Sequence, residues 1–359
     1  MIVTSTRHRL PRRWAATGLA RTRRAVRMRR PLRWRFVVDA IVVPPTSDSD
    51  VKSGAGVVAR RDGDFDYVRR TGVRRYSREL VPQPQTKGLT ANRSLPRAIF
   101  GGFAFDHFGH FLLESLSRLW IEQVEDVDES VPLVWIGAHG ACIRPWMVDI
   151  CRQIGLNREV ILIDASTGAL AVDELLVPDA GCEVREWMHP EQMRRLGTTP
   201  WRPERTERTE RKVWLSRVGL RSSKGGLSEE TEVELLLAER GWEIIRPEDL
   251  SIESQVEFLS RASRVAGVEG SALHGLVMVG SFGGTIDIIR RNSDPNFTSL
   301  ALAGGWNQRI LDPIGGLMTT TPVRNSFTGE LVAVPTWDGI DVVATALAVE
   351  RSSLRPIRG

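Results

Sequence analysis

Cysteine is scarce in this chain. Three stand among 359 residues, Cys142, Cys151 and Cys182, and no two are spaced C-x-x-C. An odd number without that spacing argues against a disulfide framework and against a thiolate zinc site; it fits reduced thiols in a cytosolic protein. Long apolar runs are missing too. Nothing approaches the ~20 consecutive apolar residues that a membrane-spanning helix needs. Arg12-Arg13-Trp14 looks like a twin-arginine start, but the apolar stretch from Trp14 to Ala20 is short and ends in arginines. No signal peptide is therefore expected. The P-loop pattern G-x-x-x-x-G-K-[ST] and the fingerprint G-x-G-x-x-G are both absent. So are solenoid repeats, helix-turn-helix signals and zinc-finger spacing.

Acid is lacking at one end. Residues 1–35 hold twelve Arg and no Asp or Glu, while the whole chain carries a net charge of +5. Removing those twelve charges leaves −7, so a mildly acidic body follows a basic arm. Trp14, Leu19, Val26, Met28 and Trp34 are apolar points among the arginines. Basic segments of this kind lie on anionic headgroups; a solvated tail is the plainer reading. The arm lacks the aromatic interleaving of nucleic-acid stacking platforms, so nucleic acid is not expected as a partner.

What is present is ordinary globular composition, with 42% hydrophobic and 26% charged residues. At about 100–200 residues per domain the length suggests two domains. FVVDAIVV (36–43) reads as a strand, and another lies near 56–60. Leu112, Leu113, Leu116, Leu119 and Trp120 recur at helical spacing and predict a helix over 110–124. Strands at 131–137, 159–164 and 174–179, with a helix at 144–155, predict a mostly parallel sheet covered on both faces. WRPERTERTER (201–211) is polar and repetitive and reads as a linker. Beyond it, strands at 212–217, 242–246, 263–270 and 283–289 alternate with helices opening at Ser228, Ser251 and Ser271. That order fits a Rossmann-like half.

Three clusters could carry chemistry. In Asp106-His107-Phe108-Gly109-His110 a histidine at a helix start has a near-neutral pKa and can act as a base, with Gly109 permitting a tight turn before it. A packing or capping histidine is the plain alternative. Glu114 and Arg118, four residues apart on the same helix, read as an ion pair or as a second carboxylate facing a cleft. In Arg217-Val-Gly-Leu-Arg221-Ser-Ser-Lys224-Gly-Gly a basic, glycine-containing loop leaves a strand where phosphates can bind. A solvated loop fits equally well. In Gly267-Val-Glu269-Gly270-Ser271-Ala-Leu-His274-Gly275 a strand turns into a helix whose amides at 271–273 would face an anion. Glu269 and His274 stand beside them.

These blocks, in this order, resemble glycosyltransferase family 61. The first is Gly109-His110-Phe111-Leu112-Leu113-Glu114-Ser115-Leu116-Ser117-Arg118. Next come Leu215-Ser216-Arg217 with Ser228-Glu229-Glu230, then Pro247-Glu248-Asp249-Leu250 through Gln255. The last is Gly267 to Gly275, where Glu269 replaces the family's usual His and Gly275 its usual Asn. The resemblance covers about residues 99–345. It implies an α/β protein of GT-B type, with two Rossmann-like lobes around a cleft. An acceptor-side lobe would span 36–200, a linker 201–211 and a donor-binding lobe 212–359, after the flexible basic arm 1–35. It implies an inverting transfer of a hexosyl or pentosyl group from a nucleotide sugar to a glycan or lipid-linked hydroxyl, in cell-surface polysaccharide synthesis. No cofactor or metal is implied. His110, Asp106 and Glu114 would be catalytic. Arg217, Arg221, Lys224, Glu269, Gly270, Ser271 and His274 would hold the donor. The expected location is cytoplasmic, peripheral to the inner face of the membrane. Nucleotide-sugar hydrolysis or epimerisation, a nucleic-acid binder and a non-catalytic sugar binder are the alternatives.

Overall fold

Among the described residues lie one three-stranded sheet, two two-stranded sheets and two larger ones, of which β-branched residues build the first. Its strands are β1 (Trp34–Val43), β2 (Gly56–Arg61), β3 (Asp64–Tyr67), β4 (Arg93–Ala104), β5 (Leu133–Gly137), β6 (Val160–Ile163) and β7 (Leu170–Pro178). The computed structural model describes residues 27–46, 54–61, 64–75, 78–123, 127–137, 142–197, 210–220, 224–280, 282–291, 295–324 and 331–351. Most of the basic arm, most of the expected linker and Arg221 lie outside them. The strand order is β3-β2-β1-β7-β4-β5-β6. β7, β4, β5 and β6 run parallel, but β1 is antiparallel to β2 and β7, and β2 to β3. The sheet is thus mixed where a mostly parallel one was expected. β2 and β3 stand only two residues apart, too close for the crossover that a parallel pair requires. Helices α1 (Pro145–Gln153) and α2 (Pro190–Leu196) follow this sheet's strands in the chain.

The predicted helix over 110–124 takes another form. An α turn (Phe108–His110) runs into a π turn (Phe111–Ser115) and then a 3-10 stretch (Leu119–Gln123). The Leu116 amide donates to the Phe111 carbonyl, five residues back, at 3.1 Å. Phe111, Leu112, Leu113, Leu116, Leu119, Trp120 and Ile121 are all buried. Three consecutive apolar residues cannot share one α-helical stripe, and a π turn shifts the register so that more of them reach the core.

The second sheet is wholly parallel. β8 (Lys212–Leu215), β9 (Trp242–Ile245), β10 (Arg264–Val268), β11 (Thr285–Ile289) and β12 (Asn307–Leu311) lie in the order β9-β8-β10-β11-β12. Helices α3 (Glu230–Ala238), α4 (Ile252–Arg261), α5 (Asn296–Gly304) and α6 (Val342–Glu350) belong to this half. Ser251 caps α4 by accepting from the Ser254 amide at 3.1 Å. Ser228 does not cap α3; its hydroxyl bonds Asp338 instead. Residues Ser271–Met278 form a 3-10 helix. A largely exposed hairpin, β13 (Gly315–Arg324) with β14 (Leu331–Ile340), follows.

One apolar cluster contains residues of both halves: Leu112, Leu116 and Met147 with Leu215, Leu259 and Leu276. The backbones also meet. A methyl group on Gly197 would run into Gly280, whose φ of +72° itself favours glycine. Among the described residues no helix is long and apolar enough to cross a membrane.

Candidate active site

In a doubly wound sheet, ligands bind beyond the carboxyl ends of the strands where the strand order reverses. Here the reversal falls between β8 and β10, whose ends are in register at Leu215 and Gly267. The chain leaving β8 carries Arg217, and the chain leaving β10 carries Glu269, Gly270 and Ser271. Strand order therefore brings together two clusters that are fifty residues apart in sequence.

Arg217 is buried and lies across the Gly270 backbone, where any side chain would collide with Nη1. Gly270 is extended, with φ −179°, so close approach rather than dihedral freedom selects glycine there. Nη2 of Arg217 donates to the carbonyls of Lys224 and Gly225, both at 3.2 Å. Its Nε is buried without a hydrogen-bond partner among the described residues. Burial, and then the charge of Arg291, pull its pKa down to about 10. The Arg217 amide donates to Glu230 at 2.9 Å, and burial pushes that carboxyl up to about 7.

Glu269 is buried and engaged. Its Oε2 accepts from the Arg291 amide at 3.0 Å, while Nε of Arg291 donates to the Glu269 carbonyl at 3.1 Å. Nη1 of Arg291 reaches the Lys224 carbonyl at 2.5 Å. Arg291 thus clips both strand-end loops together. Of the amides expected to face an anion, that of Leu273 is taken by the Gly270 carbonyl at 3.2 Å.

His274 is buried at 8% exposure, and among the described residues neither ring nitrogen has a hydrogen-bond partner. Its ring stacks on Phe297 with centroids 5.0 Å apart. Burial, and then the charges of His110 and His107, pull its pKa down to about 3. A neutral ring with two unmet polar atoms is unusual in a protein interior.

The first cluster meets this one directly. A methyl group on Gly109 would lie 2.5 Å from Nδ1 of His274 and 3.2 Å from the Ser271 hydroxyl. His110 follows Gly109 in the chain, and its Nδ1 lies 2.5 Å from Oε2 of Glu114. Glu114 also accepts two bonds from Arg75, Nε at 2.9 Å and Nη2 at 2.7 Å. Burial alone would raise the Glu114 pKa, but Arg75 and then His110 hold it at about 2. A carboxylate kept ionised can only accept, so in this contact Nδ1 of His110 carries the hydrogen, while Nη2 of Arg75, 3.3 Å from the same nitrogen, donates to Glu114. The ring is one-third exposed. The His107 ring lies tilted against it, with centroids 4.8 Å apart. Burial and then the charges of His110, Lys224 and Arg75 bring the His107 pKa down to about 4.

The remaining expected residues fall as follows. Asp106 is paired with Arg144, at 2.7 Å to Nη2 and 2.8 Å to Nε. Arg118 does not pair with Glu114: its guanidinium bonds the carbonyls of Pro178 and Arg70. Arg221 lies outside the described residues. Sequence reasoning missed Arg75 and Arg291. Arg75 is one of several arginines between 69 and 78, with nothing in the pattern to single it out. The His110–Glu114 pair did have a signal, the i,i+4 spacing.

A cavity of about 480 Å³ opens beside this group. Its lining comes from residues between Arg27 and Trp187 and includes Glu114 and Phe105. Among the described residues no three His, Cys, Asp or Glu side chains cluster so as to hold a metal ion.

Residues 108–281 match the family model Glycosyltransferase 61. The matched span contains His110, Glu114, Arg217, Lys224, Glu269 and His274, and leaves out Arg75 and Arg291. No curated protein matches the chain.

Proposed function

We propose, for a chain whose residues 108–281 form a glycosyltransferase family 61 region, that it transfers a sugar from a nucleotide-sugar donor to a hydroxyl acceptor with inversion. The observation that carries the reading is the contact at Gly109. It joins the segment that carries the His110–Glu114 pair to a strand-end site holding Arg217 and a buried His274 whose ring nitrogens have no hydrogen-bond partner among the described residues.

In this reading the acceptor hydroxyl gives its proton to Nε2 of His110 as its oxygen attacks the anomeric carbon. The bond from that carbon to the phosphate oxygen breaks, and the nucleoside diphosphate leaves. Glu114 accepts from Nδ1–H and stabilises the imidazolium that forms; Arg75 keeps Glu114 ionised. Arg217 and Lys224 offset the charge on the leaving diphosphate, so no metal is invoked. His274, Ser271 and the backbone at Gly270 contact the donor. Asp106, bound to Arg144, is the weaker candidate for the base. The acceptor is a glycan or lipid-linked glycan used at the cell surface. The chain works in the cytoplasm, with its twelve N-terminal arginines against the inner face of the membrane.

A thermal-shift panel of nucleotides and sugar nucleotides tests the donor, since a ligand that binds only the folded chain raises its melting point. Transfer with the responding donor should be lost in His110→Ala while the shift remains. No response to any nucleotide, or equal transfer by His110→Ala, would remove the proposal. Free sugar released without transfer would instead favour a hydrolase.

A further inference from the structure

The cavity beside Glu114 carries an uneven charge. Six arginines line it, Arg27, Arg30, Arg33, Arg70, Arg74 and Arg118, against three carboxylates, Glu114, Asp179 and Glu183. Glu114 is already held by Arg75, which is not in the lining. Asp179 approaches Arg70 only at 4.0 Å, and Glu183 lies 3.4 Å from Arg27 and 3.7 Å from Arg74.

Arg118 is the most telling of the six. It is 4% exposed, and the bonds it makes go to carbonyl oxygens rather than to a carboxylate. Burial pulls its pKa down to about 10, with Asp179 acting against that. Beside it Gly102, at φ +96°, has no side chain; a methyl group there would come within 3.3 Å of Nε of Arg118. A concave surface of one sign concentrates counter-ions, and guanidinium forks match phosphate and carboxylate oxygens. A volume of about 480 Å³ lies within the range of small-ligand sites, and Trp187 and Phe105 are among the lining residues.

We infer that this cavity binds an anionic group, phosphate or carboxylate, borne by the acceptor sugar. The inference rests on the proposed transfer reaction. It adds that the acceptor is charged and that the charge is held on the first-sheet side. Glu114 links the two: it forms part of the cavity wall and also bonds the His110 ring.

The test is calorimetric titration of the full chain with glucose 6-phosphate, glucuronate and glucose. The two charged sugars separate a phosphorylated acceptor from a carboxylated one. At least one should bind, and glucose should bind at least tenfold more weakly. The double substitution Arg33→Gln with Arg70→Gln should weaken the charged sugar by about tenfold or more, since one charge-assisted bond is worth about a tenfold change. Asp179→Asn should tighten it several-fold. Unchanged melting points show that the variants fold. The idea is overturned if neither charged sugar binds, if glucose binds as well, or if the double variant binds like the parent. The nucleotide thermal shift is read in the same samples. A shift that persists while charged sugars fail sinks the cavity alone, and a missing shift in the parent sinks the transfer reading.

Discussion

Replacing His274 by phenylalanine should make the fold less sensitive to acid. The ring is buried, stacked on Phe297 and without hydrogen bonds. Its folded-state pKa is about 3 against an ordinary 6.5. Above pH 6.5 the ring is neutral both folded and unfolded and adds no pH dependence. As pH falls below 6.5 the unfolded chain takes up a proton that the folded chain refuses, and stability drains away until pH approaches 3. A pH of 5 lies about 1.5 units below the pKa of the ring in the unfolded chain. This corresponds to about 2 kcal/mol lost relative to pH 7.5. His274→Phe keeps an aromatic ring on Phe297 and removes this proton. Urea denaturation of parent and variant at pH 7.5 and pH 5.0 measures the difference; His107 and the carboxylates titrate in both and cancel. The variant should lose about 2 kcal/mol less than the parent. At pH 7.5 it should also gain on the order of 1 kcal/mol, because two unmet polar atoms are gone, while nucleotide binding falls. Equal acid sensitivity in the two proteins, within about 0.5 kcal/mol, would refute a buried neutral His274 and with it the argument that this ring waits for a ligand.

Glu114→Gln should destabilise the chain by about 3 kcal/mol in urea at pH 7, because Arg75 is left as a buried cation without its counter-charge. In the parent, the Glu114 carboxylate, held at about 2 from an ordinary 4.5, contributes stability that is complete above pH 4.5 and is lost as pH falls toward 2. That part of the acid transition should be missing from the Gln variant. Gly270→Ala pushes the Arg217 guanidinium off the strand end; the nucleotide-induced rise in melting point should shrink while far-ultraviolet circular dichroism stays unchanged. Gly109→Ala forces the His274 ring or the Ser271 hydroxyl aside, and transfer should fall at least tenfold; transfer at the parent rate would show that the contact has no role.

The second sheet was readable because its central strands are short apolar runs, and β10 is buried at every position. The hairpin β13–β14 was not. GGLMTTTPVR is mostly exposed and shows no clean alternation of apolar and polar residues. β4 was not read from the sequence at all, and Pro96 falls inside it. The strand tolerates it because pairing with β5 begins only at Ile99. At the site, His110, Arg217 and His274 stood out as polar residues at element ends. Their convergence did not, because it depends on the reversal of strand order between β8 and β10 and on the bare backbone of Gly109. The Glu114 partner was misjudged for a local reason. The turn Phe111–Ser115 is π rather than α, and Arg118 is drawn to the carbonyls of Pro178 and Arg70. Arg75, thirty-nine residues upstream, is a tertiary partner that no spacing rule could supply.

The apolar cluster shared by Leu112 and Leu116 on one side and Leu259 and Leu276 on the other has a practical outcome for engineering. Grafting residues 212–359 onto the front half of a relative would need that relative's leucines to interlock with the incoming ones, and its own glycine where Gly197 meets Gly280. Exchanging whole halves as cassettes is therefore a poor route to a new sugar specificity. Arg33 and Arg70, exposed in the cavity wall and outside that apolar cluster, can be altered one at a time without unpicking the seam.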